Sequence, residues 1–344
     1  MRKRIACALC ALSLLFSLAA CTSKAEEHAT TIFAMDTVMN LTLYGEGTEI
    51  SGQDALGMAV EQLYEIEGQL SVTREGSDIH NINDNCGKKV EVAEATVDLL
   101  SQALALCEST GGALDVTAYP AVQAWGFTTG AYRVVPEQER QKLAGRIGYE
   151  QVALDGTSVT LPEGMELDLG AVAKGYAGDV LVSELEEAGI ASALLDLGQS
   201  TIAAIGAKPN GDPFRIGIQD PHGESYLGVL ALNDQSMGSS GNYQRYFEEN
   251  GKIYGHILDP DTAAPADSGL AGVTVVADSA MLCDGLSTAL FVMGLEDASQ
   301  YWQENRGFDA IFIEENGNIT ITAGLQDSFK LQTDQQHREV TVLE

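Results

Sequence analysis

Asp278 to Gly294 reads DSAMLCDGLSTALFVMG. Asp278 or Ser279 can cap a helix start, and Gly294 can end one. Met281, Leu282, Leu286, Ala289, Leu290 and Met293 recur at helical spacing, which predicts a largely buried helix. Asp284, Ser287 and Thr288 stand at i, i+3 and i+4, so three oxygen-bearing side chains share one face of an apolar segment. A buried carboxylate without a partner costs several kcal/mol or takes up a proton. Two kinds of partner would answer it. One is a hydrogen bond from a neighbouring strand or from Thr288; the other is a hard cation, for which a carboxylate and a hydroxyl one turn apart make half of an oxygen site.

Outward from this helix, strand-like runs at 40–44, 192–197, 213–218, 272–277, 310–314 and 319–322 alternate irregularly with helical ones at 52–70, 97–110, 175–188 and 298–305. The irregular order favours a mixed α+β domain over a doubly wound parallel sheet. No Pro- or Ser-rich linker, internal repeat or low-complexity tract divides the chain. Residues 31–344 are therefore expected to form one large domain, or two closely packed lobes around a sizeable core.

At the N-terminus Arg2, Lys3 and Arg4 precede an apolar run too short to span a bilayer comfortably, followed by Leu18-Ala19-Ala20-Cys21. This resembles a bacterial lipoprotein signal, in which residues 1–20 are removed and Cys21 is lipidated; an ordinary secretory signal needs no cysteine there. Residues 21–30 then read as a polar tether, and the expected location is the extracytosolic face of the cytoplasmic membrane. The formal charge of −31 becomes −34 once the signal takes away its three cations and no acid. Such a surface repels nucleic acid, which argues against it as a partner, and repels an anionic bilayer, leaving the lipid to hold the protein there. Cys86, Cys107 and Cys283 are too sparse for a disulfide framework, with a single Cys86–Cys107 bridge left open.

Several stretches between these points carry chemical content. Gly111-Gly112-Ala113-Leu114-Asp115-Val116-Thr117 leads to Trp125-Gly126-Phe127, either a ligand wall or a Gly-rich helix end followed by core aromatics. Asp168-Leu169-Gly170-Ala171-Val172-Ala173-Lys174-Gly175-Tyr176 runs from a strand into a helix whose start could hold a phosphate, with Lys174 as a cation or merely a solvated residue. No GxGxxG or Walker pattern is present. Gly238-Ser239-Ser240-Gly241-Asn242-Tyr243 suits close backbone contact. His256 and Asp259 flank Ile257-Leu258 before Pro260, as an acid–base pair or as a strand end and turn.

Together and in this order, Phe33-Ala34-Met35-Asp36-Thr37, Ala113 to Thr117 with Trp125 to Phe127, Asp168 to Tyr176, Gly238 to Tyr243, His256 to Pro260 and Ser279 to Leu290 resemble the FAD:protein FMN transferases of the ApbE type. Each motif is unspecific, but six in order span nearly the whole mature chain. The resemblance implies Mg²⁺-dependent cleavage of FAD at its pyrophosphate, transfer of FMN to a threonine of another protein, and release of AMP. It implies metal ligation by Asp284 and Thr288, with backbone oxygens of Ala171 and Ser287, and contact of FAD with Met35, Ala113, Leu114, Asp115, Asp168, Lys174 and Ile257. The implied acceptors are membrane or extracytosolic flavoproteins carrying a threonine motif. The segment Leu70-Ser71-Val72-Thr73 departs from the family, with Thr73 where many members have an aromatic ring.

In such a reaction a pyrophosphate is attacked while AMP leaves with growing negative charge, and a strongly acidic protein needs a cation to allow it. Lys174 can assist, and His256 is the nearest candidate base for the acceptor hydroxyl, with Asp259 as its orienter or a turn cap. Two other functions fit the same residues: an Mg²⁺-dependent FAD pyrophosphatase yielding FMN and AMP, and a lipoprotein that binds flavin without chemistry.

Overall fold

Ser51 accepts a hydrogen bond from the Asp54 N–H and starts helix α1, Gly52–Leu70, whose Ala55, Leu56, Ala59, Leu63, Ile66 and Leu70 make one buried stripe. Helix α2, Ala173–Glu187, and helix α3, Ala280–Glu304, lie with it on one face of a nine-stranded sheet. The computed structural model describes residues 25–344. The expected signal, the lipidation site Cys21 and the start of the tether lie outside them.

The strands of the sheet are β1 Glu27–Ala34, β2 Thr37–Tyr44, β3 Ala193–Asp196, β4 Thr201–Ile205, β5 Ser236–Gly241, β6 Leu270–Ala277, β7 Asp309–Glu314, β8 Ile319–Thr322 and β9 Val340–Leu343. Their spatial order follows the chain from β1 to β9. Every pairing is antiparallel except the parallel β8–β9 pair. Side chains alternate between the two faces: Val273, Val275 and Ala277 face the helices, while Val276 faces a second apolar cluster. That cluster lies under a three-stranded sheet of Phe214–Gln219, Tyr226–Leu232 and Phe329–Leu331. Both faces being covered explains why every residue of β6 from Gly272 to Ala277 is buried, Thr274 being the one polar side chain among them. The architecture is the expected mixed α+β, and the two clusters are layers of one domain sharing a sheet.

One boundary differs from expectation for a local reason. β1 begins at Glu27, inside the stretch read as tether, because Glu27 to Ala34 pairs along its whole length with Thr37 to Tyr44. Gly294 (φ 79°, ψ 169°) ends the first helical run as expected, and a second run follows it directly to Glu304; the two together are α3. Ser279 caps its start, accepting from the Leu282 N–H at 3.1 Å. Cys86, Cys107 and Cys283 are free thiols, so the Cys86–Cys107 bridge is not formed. Among the described residues no helix is long and apolar enough to cross a membrane.

Candidate active site

Asp284 is 5 % exposed on α3, and its carboxylate has found its donors. Thr201 Oγ1 in β4 donates to Oδ1 at 2.8 Å, and the Gly175 N–H at the start of α2 donates to Oδ2 at 3.0 Å. Lys174 Nζ lies 3.5 Å from Oδ2, so Lys174 is an ion-pair partner and not a solvated residue. Hydrogen bonds from a neighbouring strand, one of the two partners sequence allowed, are therefore present. They do not exhaust a carboxylate's four lone-pair sites.

The same face carries a hydroxyl cluster. Ser240 Oγ in β5 lies 2.8 Å from Ser287 Oγ and 3.1 Å from Thr288 Oγ1. Ser287 Oγ donates to the Asp284 carbonyl at 2.9 Å, and Ser287 is fully buried. α3 comes this close to β5 only because Gly238 lacks a side chain: a Cβ there would lie 2.5 Å from the Cys283 carbonyl. A Cβ on Gly175 would lie 2.3 Å from the Ala280 carbonyl oxygen. These two glycines let α3 approach both β5 and α2.

Asp284 and Thr288 open onto a cavity of about 1350 Å³, and so do Ala171, Asp168, Lys174, His256 and Ile257. Met35, Ala113, Leu114, Asp115 and Thr73 line it as well. Of the residues expected at the site from sequence and lying among those described, Ser287 alone is not in the wall. Met35 and Asp36 both have positive φ, 48° and 59°, in the tight turn joining β1 to β2. The Met35 N–H donates to Glu67 Oε1 of α1 at 2.8 Å, which fixes that turn over the cavity.

Other expectations change. Of the first N–H groups of α2, Ala173 donates to Leu169 O at 2.7 Å, Tyr176 to Val172 O at 2.9 Å, and Gly175 to Asp284. The helix start is thus largely satisfied from within and offers a phosphate little beyond Lys174. Trp125 packs with Phe247 and Tyr254 and donates to Ala263 O at 2.8 Å, so it is core, whereas Phe127 reaches the cavity. Asp115 braces a loop, accepting from the Thr117 N–H and hydroxyl and from the Tyr149 N–H. Asp259 accepts from the Asp261 N–H at 2.9 Å and Thr262 Oγ1 at 2.8 Å; it caps a turn and does not orient His256. With Thr73 in the wall, the aromatic rings there are Tyr119, Phe127, Tyr226 and Tyr243.

Electrostatics sort the titratable groups. Burial pushes the Asp168 carboxyl up, opposed by the Gly170 N–H at 2.8 Å and by Arg245 and Lys174. Burial lowers His256 to about 4, helped by the nearby Arg245 and Lys174 charges, against a hydrogen bond to the Arg245 backbone. His256 Nδ1 lies 3.1 Å from the Arg245 carbonyl oxygen, which can only accept, so Nδ1 carries the proton and Nε2 a free lone pair. Arg245 is itself held by Phe127 O, to which Nη2 donates at 2.6 Å.

The Asp284 carboxylate, the Thr288 hydroxyl and the Ala171 backbone border the same cavity and offer oxygen donors only, the kind that suits Mg²⁺, which keeps several waters and takes few protein ligands. Glu26, His28 and Glu46 also bring ligand atoms within 4.8 Å of one another, but none of them lines the cavity. Thr201 was not singled out from sequence, and Ser240 and Arg245 were noted only within or beside a small-residue stretch, with no role for their side chains. Their contacts cross 83, 47 and 118 positions, and nothing local marks them.

Comparison with known proteins gives a consistent answer. A model of the ApbE family matches residues 35–312. An FAD:protein FMN transferase of Haemophilus influenzae is 30 % identical over 92 % of this chain and 96 % of its own length. One of Vibrio cholerae is 33 % identical over 84 % of this chain and 88 % of its own. The crystal structure of the ApbE protein from Thermotoga maritima superposes with a TM-score of 0.83 at 30 % identity, covering 88 % of this chain and 99 % of that one. The Pseudomonas stutzeri flavinyl transferase ApbE gives 0.79 at 27 % identity over 91 % and 99 %. The conjunction of Asp284, Thr288, His256 and Lys174 around one cavity thus sits in a chain that belongs to the ApbE family.

Proposed function

We propose that this protein is an FAD:protein FMN transferase that moves the FMN half of FAD onto a threonine hydroxyl of a second protein and releases AMP. The observation that carries this reading is a single cavity joining the oxygen cluster of Asp284, Thr288 and Ala171 to a neutral histidine and a lysine. In the transfer a bond forms from the threonine oxygen to the flavin-side phosphorus, the bond from that phosphorus to the bridging oxygen breaks, and the bridging oxygen leaves on AMP. Mg²⁺, held by Asp284, Thr288 and Ala171, would supply Lewis-acid neutralisation of the pyrophosphate charge.

The chain's own groups do the rest. His256 Nε2 takes the threonine proton, because its neighbours keep the ring neutral at physiological pH. Lys174 holds Asp284 in place and adds a positive charge beside the phosphates. Arg245 fixes the His256 tautomer through its carbonyl. Met35, Ala113, Leu114, Asp115, Asp168 and Ile257 form the walls against which FAD is read. The lipoprotein signal ending at Cys21 would place this chemistry outside the cytosol at the membrane, where acceptor flavoproteins of redox chains are found.

Incubating the protein with FAD, Mg²⁺ and the host's membrane-protein fraction tests the reading. Flavin fluorescence on a denaturing gel with matching AMP is expected. FMN and AMP without a fluorescent acceptor would identify a pyrophosphatase, and bound FAD without AMP a carrier.

His256 gives a pH prediction. A base with pKa near 4 leaves kcat/KM flat from pH 8 down to about 5, and His256→Asn should lower the rate roughly 10²- to 10⁴-fold. An unchanged rate and profile removes the role. Stability responds with a definite sign. The folded value lies below the unfolded 6.5, so the unfolded chain binds more protons between the two, and stability falls as pH drops from about 6.5 to about 4. Thermal melts should show His256→Asn losing less stability than the wild type across that window, by about 1–3 kcal/mol.

A further inference from the structure

The three-stranded sheet ends on the strand Phe214–Gln219, which pairs with Tyr226–Leu232 on one side only. Which of its backbone groups are free follows from the ladder on the other side of Tyr226–Leu232. The Ala231 N–H donates to Ser328 O at 2.9 Å, and Leu227 O accepts from the Gln332 N–H at 3.0 Å. From Leu227 to Leu232, odd-numbered residues of that middle strand therefore face the third strand, and even-numbered ones face Phe214–Gln219. Leu232, Leu230 and Gly228 stand opposite Phe214, Ile216 and Ile218, so those three residues use their N–H and C=O groups in the ladder. The groups of Arg215 and Gly217 point the other way; after Ile218 the register shifts so that Gln219 stands opposite Tyr226, and the Asp220 N–H donates to Ser225 O at 3.1 Å, which leaves the groups of Gln219 outward as well, and among the described residues nothing bonds to the three.

That free edge faces the cavity. Arg215, Ile216, Gly217, Ile218 and Gln219 all line it, although their side chains alternate between exposed and buried faces. Consecutive residues of both faces border one cavity only when it runs along the strand's edge. The outer strand of the nine-stranded sheet, Glu27–Ala34, contributes no residue to the cavity. A dinucleotide has no main chain to pair with such an edge, whereas a protein substrate does.

We propose that the threonine-bearing segment of the acceptor protein docks in extended form on Phe214–Gln219, adding a strand through the outward backbone groups of Arg215, Gly217 and Gln219. This rests on the flavin-transfer reading. Main-chain pairing gives affinity with little demand on sequence, and alternate side chains give selectivity. Threonine itself is β-branched and favours a strand. The cavity would then hold FAD against the Met35 and Asp115 walls, with the acceptor arriving from the opposite side.

Arg215→Pro and Gln219→Pro each remove one outward N–H and leave the ladder to Tyr226–Leu232 intact. Gly217 is left alone, since a Cβ there would meet the Tyr226 ring at 2.6 Å. With the acceptor identified by in-gel labelling, each proline is expected to raise the acceptor KM about three- to tenfold, with FAD affinity and melting temperature unchanged. Arg215→Val and Gln219→Thr remove the same side chains but keep the N–H groups, so each proline should raise the acceptor KM further than the N–H-keeping change at its own position. Hydrogen exchange of the wild-type protein needs no variant: the amides of Arg215, Gly217 and Gln219 should slow on adding acceptor. Transfer by the wild type with an unchanged KM in both proline variants, or with unchanged exchange at those amides, overturns the docking edge alone. No transfer to any acceptor overturns the flavin-transfer reading and the docking with it.

Discussion

Replacing Asp284 by Asn is expected to leave a folded protein whose flavin transfer falls by roughly 10²- to 10³-fold, the scale of losing one preorganised electrostatic contact to a reacting phosphate. Asn is the more informative change because its carbonyl can still accept from Thr201 or from the Gly175 N–H. Alanine leaves both donors unpaired in a buried place and the Lys174 ammonium with only the Gly170 carbonyl at 3.4 Å, which costs about 3–5 kcal/mol and confounds activity with folding. The measurement is the transfer rate against Mg²⁺ concentration, with a melt of each variant alongside. Thr288→Ala should follow the same pattern with a smaller loss. Full activity of Asp284→Asn in trace Mg²⁺ would show that no metal sits on this carboxylate.

The second large effect is expected at a residue outside the cavity. Asp179 of α2 accepts from Ser279 Oγ at 2.6 Å, from the Ala280 N–H at 2.6 Å and from the Met281 N–H at 3.0 Å. It satisfies, from a neighbouring helix, the first N–H groups that α3 cannot pair itself. Asp179→Ala should cost about 2–4 kcal/mol, a helix cap together with a buried brace. Because Asp284 and Thr288 lie just beyond that end of α3, transfer should fall about tenfold in protein that is still folded. A melting temperature equal to that of the wild type sinks the argument. A lower melting temperature with an unchanged rate would confine Asp179 to stability.

How much of this was legible in the sequence depended on how local the cause was. Helix α1 was read with both of its ends because Ser51 and the apolar stripe to Leu70 are local signals. β8 was read to the residue because Ile319 to Thr322 is a β-branched run. β5 was not read as a strand: SMGSSG has no β-branched residue, and its small side chains reflect the approach of α3. Asp284 drew attention because a carboxylate is conspicuous in an apolar helix. The residues that complete its surroundings come from β4, β5 and α2, and a single chain carries no record of which distant elements converge. The free edge at Arg215, Gly217 and Gln219 was equally hidden, since pairing on one side only is a property of the sheet.

Because the strands of the large sheet lie side by side in the order they occur in the chain, each connection leaves the sheet and returns next to where it left. The cavity wall rides on these excursions: Asp115, Asp168 and Lys174 between β2 and β3, the strand Phe214–Gln219 between β4 and β5, His256 between β5 and β6, and Asp284 with Thr288 between β6 and β7. Each excursion can lengthen, shorten or be exchanged without shifting the register of any strand pair. The frame therefore allows the parts of the cavity wall that the separate excursions supply to diverge independently, as modules on an unchanged base.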